Sequence, residues 1–133
     1  MSSADFAIIG AGPAGMAAAT LAAELGLDAV LLDEQDTPGG QIYRAVEQAP
    51  DDSLIGKGYL GGRALASALR GSAARYRPGT TVWHIDPEGI LSLVADGRSE
   101  TLVARRILIA TGAIERAVPI PGWELPGVMT VGA

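Results

Sequence analysis

Phe6-Ala7-Ile8-Ile9-Gly10-Ala11-Gly12-Pro13-Ala14-Gly15, then the alanine-rich run Met16 to Leu25, Gly26, the apolar run Ala29-Val30-Leu31-Leu32 and the acid Asp33, is the stretch that decides the fold. Strand, glycine turn, helix, strand and carboxylate follow one another in the order of a nucleotide-binding βαβ unit. With 18 glycines in 133 residues a GxGxxG match alone is weak, and the competing reading is a glycine turn in an ordinary α/β protein; the flanking elements are what make the motif mechanical. Gly10 lets the chain turn sharply out of the strand, Gly12 lets backbone approach a pyrophosphate, and Gly15 lets the helix pack on the sheet. Pro13 suits the first turn of a helix, where its missing N–H is not needed, so the helix starts near Pro13 and stops at Gly26. Phosphates then meet free N–H groups at the helix N-terminus. Asp33 ends the second strand, where a carboxylate accepts hydrogen bonds from ribose hydroxyls, each worth roughly 1.5–3 kcal/mol. Strand alternation turns Glu34 the other way, so register favours Asp33 over Glu34, and an acid here disfavours a 2′-phosphate.

Composition bounds the rest. The length suits one domain and 48% hydrophobic residues suffice for a core. A net charge of −5 and a pI near 4.7 argue against nucleic acid or an anionic membrane surface as principal partner. No apolar run reaches the length of a membrane span and a strand begins by about residue 5, so the expected location is cytoplasmic. The chain has no cysteine, which excludes a disulfide framework, cysteine-ligated metal and a redox CxxC pair within it. His84, the one histidine, sits in the alternating segment Thr80 to Ile85 and reads as a strand residue rather than an acid–base catalyst. No metal site is indicated.

After Asp33 comes a loop through Pro38-Gly39-Gly40-Gln41-Ile42-Tyr43-Arg44, then a polar stretch from Glu47 to Lys57 that reads as a mobile excursion. Gly62 to Arg70 predicts a short helix. Ala74 to Arg77, Thr80 to Ile85, Ile90 to Ala95 and Thr101 to Arg105 predict extended segments separated by turns, an antiparallel meander over about 74–105 beside a parallel sheet. Ile107-Leu108-Ile109-Ala110 predicts a strand buried on both faces, ending in Thr111-Gly112, where open α/β sheets bind ligands. Pro119, Pro121 and Pro126 stiffen a final segment in which Trp123, Val128, Met129 and Val131 form an apolar strip; this predicts a partner subunit or homo-oligomer.

Together, Gly10 to Gly15, Asp33, Gly39-Gly40, the meander and Ile107 to Gly112 resemble the two-dinucleotide-binding-domain flavoproteins, the class of the pyridine nucleotide-disulfide reductases. Leu32-Asp33-Glu34-Gln35, Gly39 to Arg44, Ala110 to Arg116 and Pro121 to Thr130 look like the A or alpha subunits of the opine oxidase, hydrogen cyanide synthase and proline or hydroxyproline dehydrogenase group. The resemblance implies an α/β, Rossmann-like FAD/NAD(P)-binding fold. It implies FAD with its pyrophosphate on Gly12, Pro13, Ala14 and Gly15 and its ribose on Asp33. Gly40 and Gln41 would lie near the ribityl or flavin side, the backbone of Arg75 to Arg77 near adenine, and Thr111 and Gly112 against the cofactor. In this group the amine is oxidised on a partner chain, while the flavin-binding component passes electrons; some relatives hold NAD or an adenine nucleotide instead.

Two departures refine that reading. The cysteine pair of the disulfide reductases is missing, so disulfide reduction is rejected. The sequence also stops where the class continues into a second domain, with a linker from about 114 to 133, so the chain, incomplete at its C-terminus, resembles an N-terminal fragment, a split subunit or a naturally truncated relative. Tyr43 and Arg44 read as packing or surface residues before flavin contacts, Glu115 and Arg116 as a structural pair, and no catalytic residue is assigned. The alternative function is a non-catalytic nucleotide-binding or assembly module.

Overall fold

Two apolar faces of one sheet organise the chain, whose computed structural model describes residues 2–50, 57–114, 116 and 118–129. The βαβ unit is β1 (Ser2–Ile9), α1 (Pro13–Glu24) and β2 (Ala29–Leu32), with parallel register from Phe6↔Ala29 to Ile9↔Leu32. α1 begins at Pro13 and ends on Gly26 at φ +77, where the Gly26 and Leu27 N–H groups donate to Ala23 O and Ala22 O at 3.0 Å. Those two bonds satisfy carbonyls of the last turn, and glycine takes the left-handed conformation without a Cβ penalty. A 3-10 turn (Val46–Gln48), α2 (Lys57–Leu60) and α3 (Gly62–Gly71) follow, then β3 (Arg75–Arg77), β4 (Thr80–Ile85), β5 (Ile90–Ala95) and β6 (Arg98–Ile109).

The sheet order is β3-β2-β1-β6-β5-β4, parallel from β3 to β6 and antiparallel beyond. β3 and β4 are joined only by Pro78-Gly79 yet stand at opposite ends of that order, so the sheet curls until its ends meet. At the seam the Asp33 N–H donates to Arg77 O at 3.2 Å and the Thr80 N–H to Asp33 O at 2.8 Å. Helices α1 and α3 cover one face around Ile8, Met16, Leu31 and Leu69. The meander covers the other around Ala7, Val30, Leu32, Leu91 and Leu93.

Four expectations change. Residues 75–77 do not belong to the meander: β3 pairs in parallel with β2, from Val30↔Arg75 to Leu32↔Arg77, because Pro78-Gly79 carries the chain around the curl to the far edge. The strands expected at 101–105 and 107–110 are one element. β6 pairs antiparallel with β5 over Arg98 to Val103 and in parallel with β1 over Leu102 to Ile109, so exposed Arg105 and Arg106 interrupt the apolar run without ending the strand. Nor is its end buried on both faces. Ile109 is 64% exposed, since α1 packs over β1 and β2 and the partner β5 leaves β6 at Val103. Finally, the polar stretch is anchored at its start, where Arg63 donates to Val46 O at 3.1 Å and Glu47 pairs with Arg70 at 3.1 Å; residues 51–56 lie outside the described residues. No described helix is long and apolar enough to cross a membrane.

Candidate dinucleotide site

The C-terminal ends of β2, β1 and β6 lie side by side, with β1 between its two parallel neighbours. Gly10 turns the chain there at φ +102. A Cβ on Gly10 would lie 2.5 Å from Ala110 O, and one on Gly15 would lie 1.8 Å from Gly10 O, so both positions are closed to larger residues by backbone. Gly12 is the opposite case: a Cβ there would meet nothing within 4 Å. The glycine turn therefore packs on two sides and is open on the third, next to the N-terminus of α1.

That N-terminus has no side-chain cap and no acidic residue in its first turn. The first intrahelical bond runs from the Met16 N–H to Gly12 O at 2.9 Å, so the amides of Ala14 and Gly15 precede the helical ladder. Unpaired N–H groups and the positive end of the helix dipole favour an anion there, by roughly 0.3–1 kcal/mol for the dipole part. The arrangement fits a dinucleotide pyrophosphate.

The loop after β2 forms a second wall. Pro38 and Gly39 are buried, the Gly39 N–H donates to Ala11 O at 2.8 Å, and a Cβ on Gly40 (φ +61) would lie 2.9 Å from Gly12 Cα. From there Gln41 Nε2 donates to Ala113 O at 2.9 Å, joining this loop to the exit of β6. Thr111 and Gly112 (φ +67) complete that exit; both are exposed. The structure thus gathers Gly10, Gly12, Pro13, Ala14, Gly15, Gly40, Gln41, Thr111 and Gly112 at one edge of the sheet.

The two acids divide. Asp33 is half-buried, its Oδ2 accepting the Ala11 N–H and its Oδ1 the Gln35 N–H at 2.7 Å. Both oxygens tie backbone together, which alternation along a strand cannot reveal. Glu34 is exposed and its carboxylate meets only Gln35 Nε2, at 3.4 Å.

Around this edge other side chains are structural. Tyr43 packs into the space of Gly62, where a Cβ would lie 2.3 Å from its ring, and against the Tyr59 ring at 6.4 Å; Arg44 is exposed. Arg75 pairs with Asp28 at 2.9 Å and Arg77 with Glu100 at 3.0 Å, which leaves backbone as what 75–77 offer a ligand. The Tyr76 hydroxyl is buried without a hydrogen-bond partner among the described residues, beneath an Arg70 guanidinium 5.1 Å from its ring centroid. Burial, followed by the charge of Asp33, pushes this phenol up to about 12. His84 is exposed on β4, Glu115 lies outside the described residues, and no cluster of three potential metal ligands occurs among the described residues.

Comparison with known proteins extends the picture. Residues 4–131 match the family described as pyridine nucleotide-disulphide oxidoreductase. The chain is 46% identical to the A subunit of opine oxidase from Rhizobium meliloti (strain 1021), over 96% of its own length and 28% of the relative's. It is 38% identical to the HcnB subunit of hydrogen cyanide synthase from Pseudomonas aeruginosa, over 94% of this chain and 28% of that one. Among solved structures, L-proline dehydrogenase from P. horikoshii superposes with a TM-score of 0.66 at 21% identity, covering 87% of this chain and 24% of that one, a likeness of fold.

Proposed function

The chain belongs to the pyridine nucleotide-disulphide oxidoreductase family, and on that premise we propose that it is an FAD-binding part of an amine, opine or imino-acid dehydrogenase, passing electrons from a partner subunit. The observation that carries this reading is the open Gly12 face at an uncapped helix N-terminus, walled by the Gly40 loop and the β6 exit. FAD, when bound, supplies two-electron acceptance and release. The chain's own residues bind and orient it. Ala14 and Gly15 offer N–H groups to the pyrophosphate, Gly12 keeps side-chain atoms out of its way, and Thr111 and Gly112 lie along the far side. Asp33 holds the glycine turn in shape and, with one backbone donor on each oxygen, keeps acceptor capacity for the ribose hydroxyls, with exposed Glu34 beside it.

Residues 1–133 are read as the N-terminal portion of the dinucleotide-binding domain, with a linker from about 114 onward. The chain spans 28% of the length of these curated relatives, so substrate and partner belong to this proposal. The alternative, a module binding NAD or an adenine nucleotide without chemistry, draws on the absence of a catalytic acid, base or nucleophile at the crevice among the described residues.

A visible absorption spectrum, followed by heat release and chromatography of bound nucleotide, tests the choice. A flavin band with FAD released supports the redox component. A colourless protein that releases NAD or an adenine nucleotide selects the module.

A further inference from the structure

We propose that Gln41 is the latch of a strap that closes the crevice over its dinucleotide, a positioning role that rests on the FAD reading above. The strap is Gly39-Gly40-Gln41. It leaves the end of β2, is fixed to the glycine turn of β1 by the Gly39 N–H on Ala11 O at 2.8 Å, and passes Gly12 at contact distance. Its far end is fastened by Gln41 Nε2 on Ala113 O at 2.9 Å, beyond β6. β1 and β6 are neighbours and adjacent strands lie about 4.8 Å apart, so from its anchor on Ala11 the strap crosses one strand spacing, at the edge where the N–H groups of α1 are presented.

The fastening depends on that one bond. Gln41 and Ala113 are both exposed, and each adjoins a glycine of positive φ, Gly40 at +61° and Gly112 at +67°. The exit of β6 is backed against Gly10 at Ala110 and Thr111, while nothing lies within 4 Å of where a Gly112 Cβ would be. A side chain that joins two glycine-hinged segments across a crevice must open for the ligand to enter as well as to leave. It slows both steps.

The test compares the wild-type chain with Gln41→Leu, which cannot hydrogen-bond, and Gln41→Glu, which keeps the length and loses the donor. FAD association and release are followed by flavin fluorescence, and amide hydrogen exchange is followed over 110–114 in the FAD-free protein. Both variants are expected to take up and to release FAD roughly threefold to tenfold faster, the worth of one net hydrogen bond, with the affinity changed by less than about twofold. Exchange over 110–114 should rise in both. If the wild type binds FAD and both variants release it at the wild-type rate, the latch is wrong and the functional reading stands. If no form binds FAD, the functional reading fails and with it the strap's purpose.

Discussion

At Gly15 a Cβ would sit 1.8 Å from a backbone oxygen, while at Gly12 it would meet nothing within 4 Å. Two glycines of one motif therefore serve different ends, and mutation separates them. Gly15→Ala is expected to cost about 1–3 kcal/mol of stability through overpacking, read as a lower thermal midpoint. Gly12→Val keeps the midpoint and abolishes nucleotide binding; retained affinity would remove the pyrophosphate from this turn. The acids differ in reach. Asp33→Ala deprives two backbone donors of a charged acceptor and should lower stability by about 1.5–3 kcal/mol, and it weakens FAD binding by about 1–3 kcal/mol, measured by titration. Glu34→Ala leaves stability unchanged and weakens FAD binding less. Binding weakened by neither change would place the ribose elsewhere.

β3 is three residues long, and its middle side chain carries an unpaired phenol into the layer beneath α3. Because the folded-state value for Tyr76 is raised to about 12 from 10.0, the folded chain holds this proton more tightly than the unfolded one. Its contribution is fully present below pH 10 and is lost as pH rises through about 12. Tyr76→Phe is expected to flatten that alkaline loss in a pH series of urea melts. At pH 7 it should leave stability equal or higher, since it removes a buried hydroxyl with no hydrogen-bond partner among the described residues. A large loss at pH 7 would show that the hydroxyl has a partner. The same element scale explains β6. Its two halves serve opposite pairings, so a local apolar count reads it as two strands although one continuous backbone ladder runs through it.

Across the molecule, apolar surface is concentrated at the end of β6 and in the segment after it. Ile109 is 64% exposed, Ile114 84% and Met129 73%; Trp123 and Val128 are exposed as the sequence predicts, and Val131 lies outside the described residues. Exposed apolar side chains gathered along one stretch of chain favour association. The isolated chain is expected to elute above monomer mass in concentration-dependent fashion on size exclusion with light scattering, and Ile109→Lys should shift it toward monomer. The sequence by itself determined the βαβ unit with its glycine turn and the limits of α1, α3, β4 and β5. Proline's fixed φ, glycine's left-handed freedom and the alternation of apolar residues all act within a few positions. Only the tertiary structure decided the curl that separates β3 from β4, the double pairing of β6, the commitment of Asp33 to Ala11 and the bridge from Gln41 to Ala113. Those last two contacts join residues 22 and 72 positions apart, and their partners are chosen by how the sheet folds back on itself, which no local pattern encodes.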